Sequence, residues 1–184
     1  MKYKLVKQVK DDETLRKSFI DLAIKVFNLS FEDWYENGFW TDKYIPYALI
    51  ADNRVVANAS VNIMDMIWNG APKRYIQIGT VMASPEYRNN GLSAQLIKQI
   101  ISDWENKCNS IFLFANSTVL NFYPKFGFIP EKEYQYTLPV FPRKGDFVKL
   151  DMSSMENREL FILRCYLNIG KNSILRPDYR LHRA

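Results

Sequence analysis

The sequence is poor in the side chains on which hydrolytic and metal-dependent enzymes usually rest. It holds two cysteines, Cys108 and Cys165, and one histidine, His182, close to its end. Two cysteines make neither a disulfide framework nor a zinc site. One histidine leaves most zinc and Ser-His-Asp schemes short of parts. After Met1 comes KYKLVKQVKDDETLRKSF, and neither this segment nor any later one has the apolar length of a signal peptide or a membrane span. A reducing, cytoplasmic setting without metal and without a membrane partner is the expectation. The Gly-Lys-Ser/Thr of a P-loop is missing, and so is the G-x-G-x-x-G of a dinucleotide site. No repeat and no low-complexity segment interrupts the chain.

Strong charge of one sign is also missing from the body of the chain. Lys+Arg minus Asp+Glu is 25 − 20 = +5. The last fourteen residues, Lys171 to Ala184, carry Lys171, Arg176, Arg180 and Arg183 against Asp178, a net +3, which leaves +2 for the rest. The basic charge is a tail effect and is not interleaved with aromatic residues, so no nucleic-acid partner is expected. What is abundant is ring: aromatics make up 15%. That fits either a ring-lined pocket or an aromatic-rich core. With 184 residues and 47% hydrophobic residues, the chain can bury a real core in one domain of roughly 150 residues. The expected division is 1–150 for the main domain and 151–184 for a C-terminal extension with a helix and a basic tail.

Hydrophobic periodicity gives the order β-α-α-β-β-β-α-β-α-β, a mixed sheet with helices on its faces. YKLVKQV alternates as a strand. Asp11-Asp12-Glu13 supply the cap and acidic first turn of a helix. Ser30 caps a short ring-rich helix, FEDWYENGFW. YIPYALIAD and RVVANASVNIMDMIW read as strands. Asn69-Gly70 marks a hairpin turn into RYIQIGTVMASP. Leu92, Leu96, Ile100 and Trp104 recur every four residues, which predicts a helix from about Gly91 to Glu105. SIFLFAN is a strand buried on both faces, STVLNFYPKFGF a short helix closed by glycine, and EYQYTLPV a further strand.

The junction SPEYRNNGLSAQL places Arg88-Asn89-Asn90-Gly91 directly before a helix. The first turn of a helix leaves about four N–H groups without intrahelical acceptors, and the macrodipole adds positive potential there. A glycine lets these groups converge on an anion, and Arg88 adds a full charge, so the stretch is a phosphate cradle in physical terms. A plain strand-to-helix connection with a surface arginine is the other reading of the loop alone.

The wider stretch VMASPEYRNNGLSAQL resembles the acetyl-CoA motif of the GCN5-related N-acetyltransferase (GNAT) superfamily, Arg/Gln-x-x-Gly-x-Gly/Ala after a strand with valine. Val81, Arg88, Gly91 and Ser93 fall on its positions, with Ser93 in place of the usual Gly or Ala. NSTVLNFYPKFGF resembles a second motif of the family through Asn116, Phe122, Tyr123, Gly127 and Phe128, with Val119 replacing an alanine. The resemblance runs from about Tyr3 to Val140. It implies an α/β acyl-CoA N-acyltransferase fold whose mixed, mostly antiparallel sheet splays between its fourth and fifth strands. It further implies that pantetheine bonds to the backbone near Val81 and Met82. The pyrophosphate would lie on the amides from Arg88 through Asn89, Asn90, Gly91 and Leu92 to Ser93, with Asn116 also at the cofactor. The implied reaction is direct attack of a primary amine, of a small molecule or a peptide, on the thioester of acetyl-CoA in a ternary complex. A non-catalytic acyl-CoA sensor is the alternative, and a homodimer is an allowed assembly.

An alkylamine with a pKa near 10.4 is about three units too protonated at pH 7, a cost of roughly 4–5 kcal/mol. A base or a desolvated pocket could offset it. By resemblance Tyr123 is the general acid for the departing thiolate; as a plain residue it belongs to an aromatic cluster with Phe122, Phe126 and Phe128. Asp65 and Glu86 are the carboxylates weighed as a base, with Asp65 favoured. Gln77 and Thr80 lie where several members of the family carry polar acceptor-site groups. Phe31, Trp34, Tyr35, Phe39 and Trp40, beside Glu32, Asp33 and Glu36, would form an apolar wall attracting a cation; alternatively these rings are core.

Overall fold

A computed structural model describes residues 3–132 and 150–161. Its centre is a five-stranded sheet in the order β1-β2-β3-β4-β5: β1 (Lys4–Lys7), β2 (Tyr44–Ala51), β3 (Arg54–Trp68), β4 (Ala71–Ala83) and β5 (Ser110–Leu113). The first four strands are antiparallel, and β5 joins β4 in parallel. Asn69 and Gly70, both at positive φ, make the β3–β4 turn. That conformation suits Asn-Gly and gives the two strands their right-handed twist.

Helices cover both faces. α1 (Glu13–Phe27) starts where the Asp12 carboxylate accepts the Leu15 amide at 3.0 Å. Such a cap is worth about 1 kcal/mol. It ends at Asn28 in the left-handed conformation. α1 buries Phe19, Ile20, Leu22 and Ala23 in a layer with Val9, Tyr44, Ala48, Ile50, Val55 and Met82. α3 (Leu92–Trp104) buries Leu92, Leu96, Ile97, Ile100 and Ile101 on the opposite face, against Tyr47, Ala59, Val61, Ile76, Ile78 and Leu113. Trp104, expected in that stripe, is only half-buried. Its indole N–H donates to the Tyr47 hydroxyl at 3.0 Å, and that hydroxyl donates to Asp103 at 2.8 Å. An indole must bring its N–H to an acceptor, and this one sits at the rim of the helix.

Two helices differ from the sequence expectation. α2 is only Glu32–Glu36, with Ser30 accepting the Glu32 amide at 3.2 Å. STVLNFYPKFGF is not one helix but two 3-10 turns, Ser117–Val119 and Tyr123–Phe126. Pro124 has no N–H to give, and its ring would collide with the carbonyl four residues back, so the segment kinks instead of winding on. Gly127, at φ 85°, closes it as expected.

The sheet and its helices form a compact unit that closes at Glu131, and Lys132 opens a second. This break falls before the expected boundary at 150. In the second unit Asp151 accepts the Ser153 amide at 2.9 Å, and residues 155–161 are helical. The strand expected over EYQYTLPV, Cys165, His182 and the basic tail lie outside the described residues.

Candidate active site

β4 is the strand on which the site is built. β5 pairs with it only from Tyr75 to Ile78. β4 then runs on to Ala83, bonded to β3 alone among the described residues, so none of these covers the edge from Gly79 onward as β5 does before it. An open strand edge is a row of N–H and C=O groups able to take up an extended ligand. Val81 and Met82 lie on this stretch, as expected.

A bulge marks its start. Ser60 pairs with Gly79 and Asn58 with Met82, so β4 carries one residue more than β3 across this interval. Thr80 takes it up at φ 49°. A β-branched residue at positive φ is a strained conformer that costs of order 1–3 kcal/mol and needs support from its surroundings. The support is a buried polar cluster. The Asn58 side-chain amide donates to the Thr80 carbonyl and to the Ser60 hydroxyl, both at 2.9 Å. Ser60 donates to the Tyr44 hydroxyl at 2.9 Å, and Tyr44 and Thr80 share a hydrogen bond at 3.0 Å. Asn58 and Ser60 are wholly buried. Burial pushes the Tyr44 phenol up to about 12, so it stays protonated. The Asn58 Oδ1 is buried without a partner among the described residues. None of these roles is visible in the sequence, where Asn, Ser, Thr and Tyr in a strand carry no distinguishing pattern.

β4 leads through a 3-10 turn, Pro85–Tyr87, into the loop and α3. Asn89 at φ 62° and Gly91 at φ 72° turn the chain. Gly91 is the helix cap and provides no side-chain acceptor, and no acidic residue stands in the first turn. The opening amides of a 13-residue helix therefore keep their positive potential. A Cβ built on Gly91 meets nothing within 4 Å, so the space over these amides is open. Arg88 reaches back to the Ala83 carbonyl at 3.4 Å, and Asn90 holds the turn through the Tyr87 and Arg88 carbonyls. Leu92 is buried and anchors the helix start, while Ser93 is half-buried. Glu86 is paired with Lys25 at 2.8 Å and bonded to Ser84, contacts that hold its carboxyl well below the usual range. It is thereby an anion pinned at the rim, not a base.

Tyr123 is 7% exposed and packs in the α3-side core with Leu92, Leu113 and Phe128. Its ring meets Phe122 at 5.1 Å and Phe128 at 6.1 Å. Burial raises its phenol above the ordinary tyrosine range. Asn116 stands exposed just past β5, in extended conformation with its side chain uncommitted as a cap.

Asp65 lies far out on the β3–β4 hairpin, between Lys43 at 2.5 Å and Arg74 at 2.6 Å. These hydrogen bonds drive its carboxyl far below the usual range. A carboxylate so stabilised as an anion is a poor proton acceptor, so the geometry speaks against the base role expected for it. The ring wall also takes the form of a core. Phe31, Trp34, Trp40 and Tyr44 pack on one another and around Phe19, with neighbouring centroids 5.1–6.4 Å apart. Trp40 is buried, and the cation such rings would attract is already supplied by Arg16, 3.9 Å from the Tyr35 ring centre. Among the described residues no group of His, Cys, Asp and Glu could hold a metal, and no helix is long and apolar enough to cross a membrane.

No curated protein matches the chain by sequence. Solved structures do match by shape. An acetyltransferase of Trypanosoma brucei superposes with a TM-score of 0.60 at 22% identity, over 76% of this chain and 100% of that one. Glucosamine-6-phosphate N-acetyltransferase of Arabidopsis thaliana gives 0.59 at 18%, over 76% and 99%. An acetyltransferase of Clostridium acetobutylicum, solved with acetyl-CoA, gives 0.58 at 17%, over 74% and 96%. At these identities the likeness is one of fold. The family model of the acetyltransferase (GNAT) domain matches residues 6–130. With that domain spanning the whole sheet unit, from β1 past the turn that carries Tyr123, the chain belongs to the GNAT acetyltransferases.

Proposed function

We propose that the protein transfers an acetyl group from acetyl-CoA to a primary amine by direct attack in a ternary complex. The observation that carries this reading is the juxtaposition of an open β4 edge, Gly79 to Ala83, with the uncapped amides of α3. One offers hydrogen bonds to an amide-bearing chain, the other to a diphosphate. Acetyl-CoA, when bound, supplies the activated acyl group as a thioester. The residues present fit it: the space over Gly91 is open, and no acidic side chain in the first turn of α3 repels an anion. Val81 and Met82 would hold the pantetheine amides, the 88–93 backbone the diphosphate, and Asn116 the segment between β5 and the following turn.

Tyr123 is the group we assign as proton donor to the leaving thiolate. Its phenol is kept protonated by burial, and its hydroxyl has no hydrogen-bond partner among the described residues. Neither Asp65 nor Glu86 fits the part of a base, since both are held as anions by cations. The amine is then delivered neutral by the desolvated pocket or loses its proton to water.

Two measurements test this. Gly91→Val forces a β-branched residue to φ 72°, so the loop must move away from its cradle. Calorimetry should show acetyl-CoA affinity falling at least tenfold in a protein that still melts cooperatively; unchanged affinity would remove the loop from the cofactor site. Tyr123→Phe keeps the ring and its packing. Turnover, followed as thiol release, should fall about 10²–10⁴-fold with acetyl-CoA affinity little changed, and the alkaline limb of the pH profile should disappear. Full turnover would return Tyr123 to a packing role.

A further inference from the structure

Among the described residues no element covers the α1-side face of the sheet along its whole length. The layer of α1 and α2 reaches as far as Tyr44, which lies opposite Asn62 in the β2–β3 register. From there outward, residues on that face are half-buried or exposed instead of buried. Asn62 lies opposite Gln77, and Gln77 opposite Phe112, a row across three strands. Directly opposed residues share a face. Ile76 and Ile78 point to the α3 side, so this row faces the other way. Gly79 completes the group. A Cβ built on it would meet only the Asn62 amide nitrogen, at 3.5 Å, which shows that this carboxamide leans over the glycine toward the open stretch of β4.

Asn62 and Gln77 make no side-chain hydrogen bond to any described residue, although both are half-buried. Two adjacent carboxamides offer four N–H donors and two carbonyl acceptors. Leaving such capacity unmade in a partly desolvated cleft is unfavourable unless water or a ligand takes it up. Rings lie at both ends of the row: Phe112 on β5 opposite Gln77, and beyond Asn62 its partner Tyr44, on which Trp34 packs edge-on at 5.1 Å. Asp65 is on the opposite face of the hairpin, bound to Arg74. The row itself thus carries no carboxylate to draw a cation. It offers neutral, two-way hydrogen bonding between apolar walls, beside the strand edge where the acyl group is to be delivered.

We infer that Asn62 and Gln77 form the acceptor subsite, with Gly79 as the opening above them, and that it selects a hydroxyl-rich amine of the amino-sugar class over a plain alkylamine or a lysine side chain. Vicinal hydroxyls both donate and accept, which matches a pair of carboxamides, and the apolar face of a pyranose ring fits against Phe112 and Trp34. The inference rests on the acetyl-transfer reading for the group transferred, and on the geometry of this row for the recipient.

The test uses the full chain, labelled with ¹⁵N and saturated with CoA, titrated with glucosamine and separately with cyclohexylamine. The side-chain amide resonances of Asn62 and Gln77 are assigned through their loss in Asn62→Leu and Gln77→Met. Glucosamine should shift both saturably, and cyclohexylamine should not. In Gly79→Val the sugar-dependent shifts should vanish; Gly79 is outside the left-handed region, so valine is sterically allowed in the strand. In turnover, Gln77→Met should raise the KM for glucosamine about tenfold to hundredfold with kcat nearly unchanged. Absence of the glucosamine shifts in CoA-loaded protein, or equal shifts with cyclohexylamine, overturns the subsite and leaves acetyl transfer standing. Sugar-dependent shifts in a protein that does not bind acetyl-CoA sustain the subsite and overturn the transfer.

Discussion

Two polar clusters flank the β3–β4 hairpin at different depths, and they are built from opposite materials. Outward on the hairpin, Lys43, Asp65 and Arg74 are fully charged and solvent-facing. Inward, Asn58, Ser60 and Tyr44 are neutral and buried, with the half-buried Thr80 bonded to them at the bulge. The difference follows the dielectric. In water an ion pair gains little, because solvent screens it and two long side chains must be held still. In the interior a charge would cost several kcal/mol, whereas neutral groups that satisfy one another fix a geometry cheaply, and losing one member exposes the rest to an unmet desolvation cost. The inner cluster decides the shape of β4 where the ligand edge begins; the outer one decorates a hairpin.

The contrast predicts a ranking. Asn58→Leu is nearly isosteric, yet it strips the Thr80 carbonyl and the Ser60 hydroxyl of their donor. A loss of about 2–4 kcal/mol is expected, seen in calorimetry as a melting temperature lower by roughly 5–15 °C. A change within about 2 °C would show that the bulge does not depend on this amide. Tyr44→Phe should cost less, about 1–2 kcal/mol near neutral pH, and its effect depends on pH in a defined direction. The Tyr44 phenol titrates near 12 in the folded protein and about 10 unfolded. The folded state therefore holds the proton more tightly, and the contribution is fully present below pH 10. It fades as pH rises through 12, a span worth roughly 3 kcal/mol. Denaturant melts of the two proteins at pH 8 and above pH 10 should show the gap narrowing; a widening gap would reverse the sign of the coupling. Asp65→Asn should do least: a melting temperature close to that of the parent, closer still in high salt, with turnover also close to that of the parent. A turnover loss of a hundredfold or more there would restore Asp65 as a base.

These clusters also show what a sequence discloses. The strands, the Asp12 cap, the stripe of α3 and the Asn69-Gly70 turn were legible because each is local: a period, a capping oxygen, a residue pair at positive φ. The junction of the Arg88–Gly91 loop with α3 was legible for the same reason, since loop and helix start are contiguous. The inner cluster was not, because its four members come from three strands and acquire a role only through register. Asp65 drew attention as a carboxylate in the right strand, but its neutralisation depends on Arg74 across the turn and Lys43 from before β2. Rings in FEDWYENGFW show no sequence difference between wall and core; Phe19 of α1 and Tyr44 of β2 decide it. Pro124 was in view, yet the periodicity around it suggested more helix than its missing N–H allows.

The bulge at Thr80 resets the phase of β4. Before it, even-numbered residues, Ile76 and Ile78, point to the α3 layer; after it odd-numbered ones do, Val81 and Ala83, while Met82 enters the α1 layer. Length is therefore not a neutral variable along this strand. Losing Thr80 would restore plain alternation with Val81, Met82 and Ala83 still in their present layers, but it would take the Thr80 carbonyl and hydroxyl away from Asn58 and Tyr44; losing one residue on either side of the bulge would instead set the two halves of the strand out of phase. A residue added between Asn69 and Gly70 would lengthen a solvent-exposed tip and leave both layers untouched. A change of length is thus absorbed at the hairpin tip, acts through the polar cluster at Thr80, and exchanges the layers anywhere between, although the two ends are little more than ten residues apart.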